Sequence, residues 1–282
     1  MKLKATLYLV ATPIGNLQDI SLRAIDVLKN VDLIACEDTR HTGQLLAHFS
    51  IKNKLTSLHQ HNEKEKTKFI LKTINSGGSV AYVSDAGTPA ISDPGAFLVN
   101  QAHLDNLHIV PIPGPSALTT AFSAAGISSN QFQFVGFLPS TQSKCKKILQ
   151  DIFSMNMTTI FYESPRRIIK TLATIVDIFG PEQEVVIGRE LTKLFETIYK
   201  DKAISLLDRI SQNPNDQKGE FVIILSRTEK NFPTQSDISD EHMLKVLLSE
   251  LPLNQAVKLT ATILKKRKKE VYNQALEIKN EK

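Results

Sequence analysis

The chain has 282 residues, 41% of them hydrophobic and 22% charged, which is the make-up of a globular protein long enough for about two domains. No apolar run approaches the ~20 residues that span a bilayer, and the two cysteines, Cys36 and Cys145, have neither CxxC nor metal-ligand spacing, so a membrane span and a disulfide framework are both excluded. A net charge of +5 and an isoelectric point near 9.0 suit a polyanionic partner such as nucleic acid, although many unrelated enzymes carry as much lysine.

Thr6-Leu7-Tyr8-Leu9-Val10-Ala11 is a continuous apolar run ended by Thr12-Pro13-Ile14-Gly15-Asn16, and it reads as a first strand and its loop. No signal-peptide pattern accompanies it, so the expected location is the cytoplasm. Ser21 caps a helix over residues 22–30, where Leu22, Ile25 and Leu28 recur at helical spacing. Residues 31–36 form a second strand that opens on the polar Glu37-Asp38-Thr39-Arg40. Asn62 followed by Glu65 is a capping pattern for a helix through Ile74, closed by Gly77 and Gly78.

Residues 79–83 then have the length and content of a buried strand, and residues 96–102 read as a helix. The loop between them, from Ser84 to Gly95, is far longer than the ~2–6 residues of an ordinary βα connection. Its glycines and prolines set the backbone, its aspartates add acceptors, and open α/β sheets place ligands outside such strand ends. It reads as a ligand loop.

A strand over 107–111 runs into Pro111-Ile112-Pro113-Gly114-Pro115-Ser116-Ala117, whose prolines stop any regular element before Ser116 caps a helix to Gly126. This bend divides an N-terminal α/β domain, residues 1–114, from a second, residues 115–230. There the alternation repeats: strands over 132–137, 158–162, 184–188, 195–199 and 219–225, and helices over 145–153 and 168–178. Residues 231–282 are a linker and a helical extension, with helices over 241–251, 253–264 and 271–278. The run Lys265-Lys266-Arg267-Lys268-Lys269 within it suits either an RNA-facing element or a solvated helix face, since acidic residues flank it.

The first loop has one glycine where a dinucleotide fingerprint needs three, no GxxxxGK[ST] follows a strand, and His59 and His61 lack partner ligands, so no metal site is expected. What remains is a set of strand-end loops: 12–16, 37–40, 84–95, 113–117, 163–167 and 189–192. On one edge of two neighbouring sheets they would line a cleft between domains, the usual place for a small molecule. They hold few nucleophiles, which suits a cofactor that brings the chemistry.

Taken together, Leu9 to Leu17, Glu37-Asp38-Thr39-Arg40, Ser84-Asp85-Ala86-Gly87-Thr88-Pro89, Pro113 to Ala117, Tyr162 to Arg167, Arg189-Glu190-Leu191-Thr192-Lys193 and Gly219-Glu220-Phe221 resemble the motifs of the tetrapyrrole-methylase superfamily, in its ribosomal-RNA-modifying branch. The resemblance covers about residues 6–226, and the C-terminal helices look like that branch's small extension. It implies two α/β domains of class III methyltransferase type, S-adenosylmethionine in the cleft between them, a homodimer, and methylation of the ribose 2′-hydroxyl of a decoding-region cytidine in 16S RNA. It places the cofactor against Pro13, Ser84, Asp85, Ala86, Ile91, Gly114, Ser116, Ala117 and Tyr162, with Arg189, Glu190, Glu220 and Phe221 as further contacts. Asp38, Asp85 and Glu163 are the candidate bases, and ion pairs with Arg40, Arg166 and Arg167 are an equally available role for Asp38 and Glu163. Those arginines, with Lys265, Lys266, Arg267, Lys268 and Lys269, are the candidate RNA contacts. Two alternatives stay open: a tetrapyrrole precursor as substrate, methylated on carbon, and a non-catalytic RNA-binding protein with a residual pocket.

Overall fold

The computed structural model describes residues 5–227, 240–264 and 266–280. The chain divides into two compact units at residue 228. The larger is built on two five-stranded sheets.

The first sheet contains β1 (Thr6–Val10), β2 (Leu33–Cys36), β3 (Leu55–Ser57), β4 (Ser79–Val83) and β5 (Ile109–Ile112), in the order β3-β2-β4-β1-β5 and all parallel. Helices α1 (Leu22–Asn30), α2 (Thr39–His48), α3 (Glu63–Asn75) and α4 (Ala96–Leu104) connect them. Side chains of a strand alternate between faces, and both faces here are covered, which is why these strands read as unbroken apolar runs. Tyr8, Val10, Ile34 and Ala81 pack with Ala24, Val27 and Leu28 of α1. Leu7, Ala35, Val80 and Tyr82 pack on the other side with Ile70 and Ile74 of α3 and Leu98 of α4.

So β1 and β4 lie side by side while the helices that follow them, α1 and α4, lie on opposite faces. Their loops must diverge, and a crevice opens between them at the C-terminal edge of the sheet.

Helix α5 (Ala117–Ala124) follows the proline bend and packs on the second sheet, where Ala121 meets Ile160, Val222 and Ile224. That sheet contains β6 (Phe132–Phe137), β7 (Thr158–Glu163), β8 (Glu184–Arg189), β9 (Thr197–Lys202) and β10 (Phe221–Leu225), in the order β6-β7-β10-β8-β9. Its far face is covered by α6 (Gln142–Met155), α7 (Ile168–Phe179) and α8 (Ala203–Gln212) around Leu149, Phe161, Leu172 and Leu206. Only β6 and β7 are parallel; the other pairs are antiparallel. The regular alternation read from the sequence therefore gives way to a β8–β9 hairpin and a reversed central strand. Because of that reversal Phe221, at the start of β10, pairs with Glu163 and Arg189 at the ends of β7 and β8.

Three elements were not read from the sequence, two of them because their pattern is weak. Helix α2 opens with polar residues and owes its start to Asp38, whose carboxylate accepts from the Arg40 amide. Strand β3 is only three residues long. Helix α8, by contrast, carries a clear amphipathic pattern in Leu206, Leu207 and Ile210 that the sequence reading passed over. Asn62 precedes α3 as expected, but its side chain accepts from His59 N instead of capping the helix.

The smaller unit contains α9 (Asp240–Glu250), α10 (Leu253–Ile263) and α11 (Lys268–Asn280), with its own core of Leu244, Val257, Val271 and Ala275. Helix α11 begins three residues before the expected start, so Lys268 and Lys269 form its first turn. No described helix is long and apolar enough to cross a membrane.

Candidate functional site

The loop from Ser84 to Gly95 is held at several points along its length. Thr12 and Gly87 exchange two backbone hydrogen bonds of 2.9 Å, which ties it to the loop after β1 across the crevice. Thr88 Oγ1 donates to the Pro115 carbonyl at 3.2 Å and so joins it to the proline bend. At its far end the Tyr82 hydroxyl donates to the Pro94 carbonyl at 2.8 Å, and Gly95 N donates to Glu63 Oε1 at 2.9 Å. Between these anchors Ala90 and Ser92 have φ of 65° and 63°, a left-handed conformation that non-glycine residues adopt only where surrounding contacts impose it.

At Ser92 the second sheet comes close. Strand β6 shifts register between Phe134 and Phe137, and Gly136 within the shift has φ of 67°. A Cβ on Gly136 would lie 2.8 Å from Ser92 Oγ, so this position must be glycine for the loop to approach. On the other side of the cleft Asn16 N donates to Thr192 Oγ1 at 3.1 Å. The loops of the two sheets thus interlock around a cavity of about 530 Å³, within the usual range for a small-molecule site.

Ile14, Ile91, Ala117, Tyr162, Leu191, Phe221 and Val222 make much of the cavity wall apolar. Set into it are five carboxylates: Glu37, Asp85, Asp93, Glu163 and Glu220. Two are paired. Glu163 is buried and meets Arg167 at 2.7 Å while accepting from Ser164 N and Thr171 Oγ1, and Glu220 meets Lys193 at 3.0 Å. Among the described residues no cation lies within ion-pair distance of Glu37, Asp85 or Asp93. Burial raises the Asp93 carboxyl above its ordinary value, with the Asp85 charge adding to it and a hydrogen bond from Ser84 opposing it. Glu37 is raised in the same way, by burial and by the Asp85 and Asp93 charges. Three uncompensated acids in a half-apolar cavity are a receptor for a cationic ligand with apolar parts, and S-adenosylmethionine, a sulfonium and an ammonium on an adenosine frame, has that chemistry.

Of the residues expected from sequence, Asp85, Ala86, Ile91, Ser116, Ala117, Tyr162, Glu163, Glu220 and Phe221 line this cavity together. Pro13, Ser84 and Gly114 are not among the wall residues; Ser84 O accepts from Thr12 Oγ1, and a Cβ on Gly114 would lie 3.0 Å from the Ala11 Cβ. Arg189 turns away, donating to the Lys218 and Asn215 carbonyls beside Asp216, and so braces the segment before β10. Glu190 pairs with Lys193 and accepts from Glu220 N.

Asp38 caps α2 and pairs with Arg40 at 2.7 Å; the hydrogen bonds from Arg40 side chain and backbone hold its carboxyl far below the usual range. Its amide donates to Asp85 Oδ1, so it steadies a wall residue without being one. Arg167 is engaged by Glu163 and the Leu138 carbonyl, whereas Arg166 beside it is exposed and carries no hydrogen bond or ion pair to the described residues. Lys266, Arg267, Lys268 and Lys269 are exposed on the smaller unit, and Lys265 lies outside the described residues.

Sequence reasoning missed Glu37, Asp93 and Phe137 as wall residues. The first two were within reach, since both lie in stretches already marked as ligand loops. Phe137 was not, because its direction depends on the register shift in β6.

Comparison with known proteins agrees with this geometry. The family model described as Tetrapyrrole (Corrin/Porphyrin) Methylases matches residues 6–206, and one described as RsmI C-terminal HTH domain matches residues 234–279. Ribosomal RNA small subunit methyltransferase I of Vibrio cholerae is 47% identical over 271 residues, covering 96% of this chain and 94% of that protein. The protein of the same name from Pasteurella multocida is 44% identical, covering 98% of each. Among solved structures, a cobalt precorrin-4 methyltransferase superposes with a TM-score of 0.58 at 16% identity over 79% of this chain and 95% of that one. A diphthine synthase reaches 0.60 at 13% identity over 79% of this chain and 90% of its own; at such identities both speak for the fold alone. The chain belongs to the tetrapyrrole methylase family, in the branch formed by the ribosomal RNA small subunit methyltransferase I proteins.

Proposed function

We propose that this protein transfers the methyl group of S-adenosylmethionine to 16S ribosomal RNA of the small subunit, at the ribose 2′-hydroxyl of a cytidine in the decoding region, acting in the cytoplasm as a homodimer. The observation that carries the reading is similarity running unbroken through both compact units to proteins named for that substrate. A tetrapyrrole precursor as substrate has no such support, because the precorrin enzyme resembles the chain in fold only. Leu194 and Phe195, exposed on the β8–β9 hairpin, support a surface that a second copy covers.

When bound, the cofactor supplies an electrophilic methyl group on sulfur. The protein must then hold donor and hydroxyl in line, which contributes up to about 7–11 kcal/mol, and accept a proton, which contributes roughly 10²–10⁴-fold. Ala86, Ile91, Ser116, Ala117, Tyr162 and Phe221 hold the cofactor, with Pro13, Ser84 and Gly114 shaping the backbone of the loops. Asp38 and Glu163 are poor proton acceptors, since each has its oxygens committed to an arginine and to backbone amides. Asp93 takes that role. It lies in the cavity wall next to Ser92, whose Oγ would crowd any side chain at Gly136, and its raised pKa brings it closer to the working pH than an ordinary aspartate.

The test is transfer of labelled methyl from S-adenosylmethionine to small subunits from cells lacking this gene, followed by nuclease digestion. Label on a single cytidine 2′-oxygen is the expected result. Absence of label on subunits and on free 16S RNA, by protein that binds the cofactor, overturns the reading.

A further inference from the structure

Phe137 ends β6 at the edge of the second sheet, paired in register with Tyr162, and it forms part of the cavity wall while remaining 57% exposed. Phe69, Phe132 and Phe195 are exposed as well, but of these rings only Phe137 lines the cavity, and the neighbouring Phe161 and Phe221 are fully buried. Its direction follows from the register shift at Gly136, which turns the end of the strand toward the cleft. The Tyr162 ring stands edge-on to it at 5.4 Å between centroids and edge-on to Phe134 at 4.9 Å, so the platform is braced from behind.

Beside it, Ser164 and Pro165 continue the rim and lead to the exposed Arg166, which has no partner among the described residues. Gly136, next to Phe137, comes close to Ser92, next to the wall residue Asp93. A ribose hydroxyl reaches acids set in the wall of a cavity only if its nucleotide leaves the RNA stack and enters. A nucleotide that does so loses stacking, and RNA-binding sites replace that loss with an aromatic face and a phosphate contact.

We propose that Phe137 is the stacking platform for the base of the target nucleotide, with Arg166 on its phosphate. This rests on the reading above that the substrate is RNA. The platform explains why an aromatic ring is left bare in the wall of the cavity. It also makes Phe137 a substrate contact with no part in cofactor binding.

Phe137→Leu removes the π face and keeps an apolar side chain; Phe137→Tyr keeps the face. Methyl transfer to small subunits is measured over a range of subunit concentrations, and S-adenosylmethionine affinity is measured separately by equilibrium dialysis. The expected result is a loss of about tenfold or more in kcat/KM for subunits with leucine, near wild-type values with tyrosine, and unchanged cofactor affinity in both. Unchanged kcat/KM in the leucine variant overturns the proposal. Cofactor affinity that falls in step with the rate overturns it too, by assigning the ring to the cofactor, and so does a tyrosine variant as impaired as leucine. Wild-type protein that labels no subunit overturns the functional reading and this proposal with it, whereas labelled subunits with an unaffected leucine variant overturn the stacking alone.

Discussion

At the scale of single residues, the acids in and beside the cavity divide into those that hold the fold and those that are held by it. Glu163 has Arg167, Thr171 and the Ser164 amide around it, and Asp38 has Arg40 and the first turn of α2. Asp93 has burial and like charge against it. Because its folded pKa is raised, its contribution to stability is present below the unfolded value of about 4 and is lost as pH rises through the folded value. Wherever it is ionised, the carboxylate is therefore a strain on the native state. Asp93→Asn is expected to lower the transfer rate by about 10²-fold or more, while melting at the same or a higher temperature than wild type at neutral pH. That thermal advantage should vanish toward pH 4, and the wild-type rate should fall on the acid side at a pH above that of an ordinary aspartate. A variant that melts lower at neutral pH and keeps its rate would show that Asp93 serves the fold. That Asp93 and Glu37 line the site was within reach of the sequence, but that their carboxyls are perturbed was not: the same Asp is a turn former in water and a perturbed acid in a cavity, and only its neighbours decide.

Among the elements, the long loop after β4 depends on glycines at places where the backbone and its surroundings leave no alternative. Gly95 has φ of 117°, and a Cβ there would collide with the Tyr82 ring, whose hydroxyl holds Pro94. Gly95→Ala should therefore destabilise the larger unit by about 2–4 kcal/mol, from left-handed strain together with displacement of a buried ring. Gly77, with φ of 90° and nothing within 4 Å of its Cβ position, is the natural control, and Gly77→Ala should cost only about 1 kcal/mol. Urea unfolding of both variants separates the two contributions; equal losses would mean that the Tyr82 contact has no energetic weight. The strand leading into this loop and the loop's excess length were plain in the sequence, since apolar runs and glycine-proline punctuation are local signals. The left-handed Ala90 and Ser92 were not, because non-glycine residues take that conformation only under contacts made from elsewhere.

For the molecule as a whole, binding a large RNA requires positive charge that the cavity, with its acids, does not supply. The smaller unit offers Arg267, Lys268 and Lys269 in exposed positions, the lysines in the first turn of α11, where a helix N-terminus disfavours cations. Replacing these three by glutamine is expected to leave cofactor affinity and thermal stability unchanged, to weaken subunit binding, and to flatten its dependence on salt by roughly 0.7–0.9 of a log unit for each phosphate that is no longer neutralised. An unaltered salt slope would mark the run as a solvated helix face.

Local pattern was enough to reveal most strands and helices of both sheets, the loop motifs that mark the tetrapyrrole methylases, and the helical extension. Each rests on residues adjacent in the chain, where apolar periodicity, capping and turn chemistry act over a few positions. Tertiary structure alone decided the direction of β10, which brings Phe221 to the cavity at the start of its strand. It decided as well which acids are paired and which are bare, and that Phe137 faces the cleft. Strand direction, burial and ion pairing are set by partners distant in sequence, so nothing in the stretch 219–225, or around residues 93 and 137, distinguishes these outcomes until the two sheets are brought together.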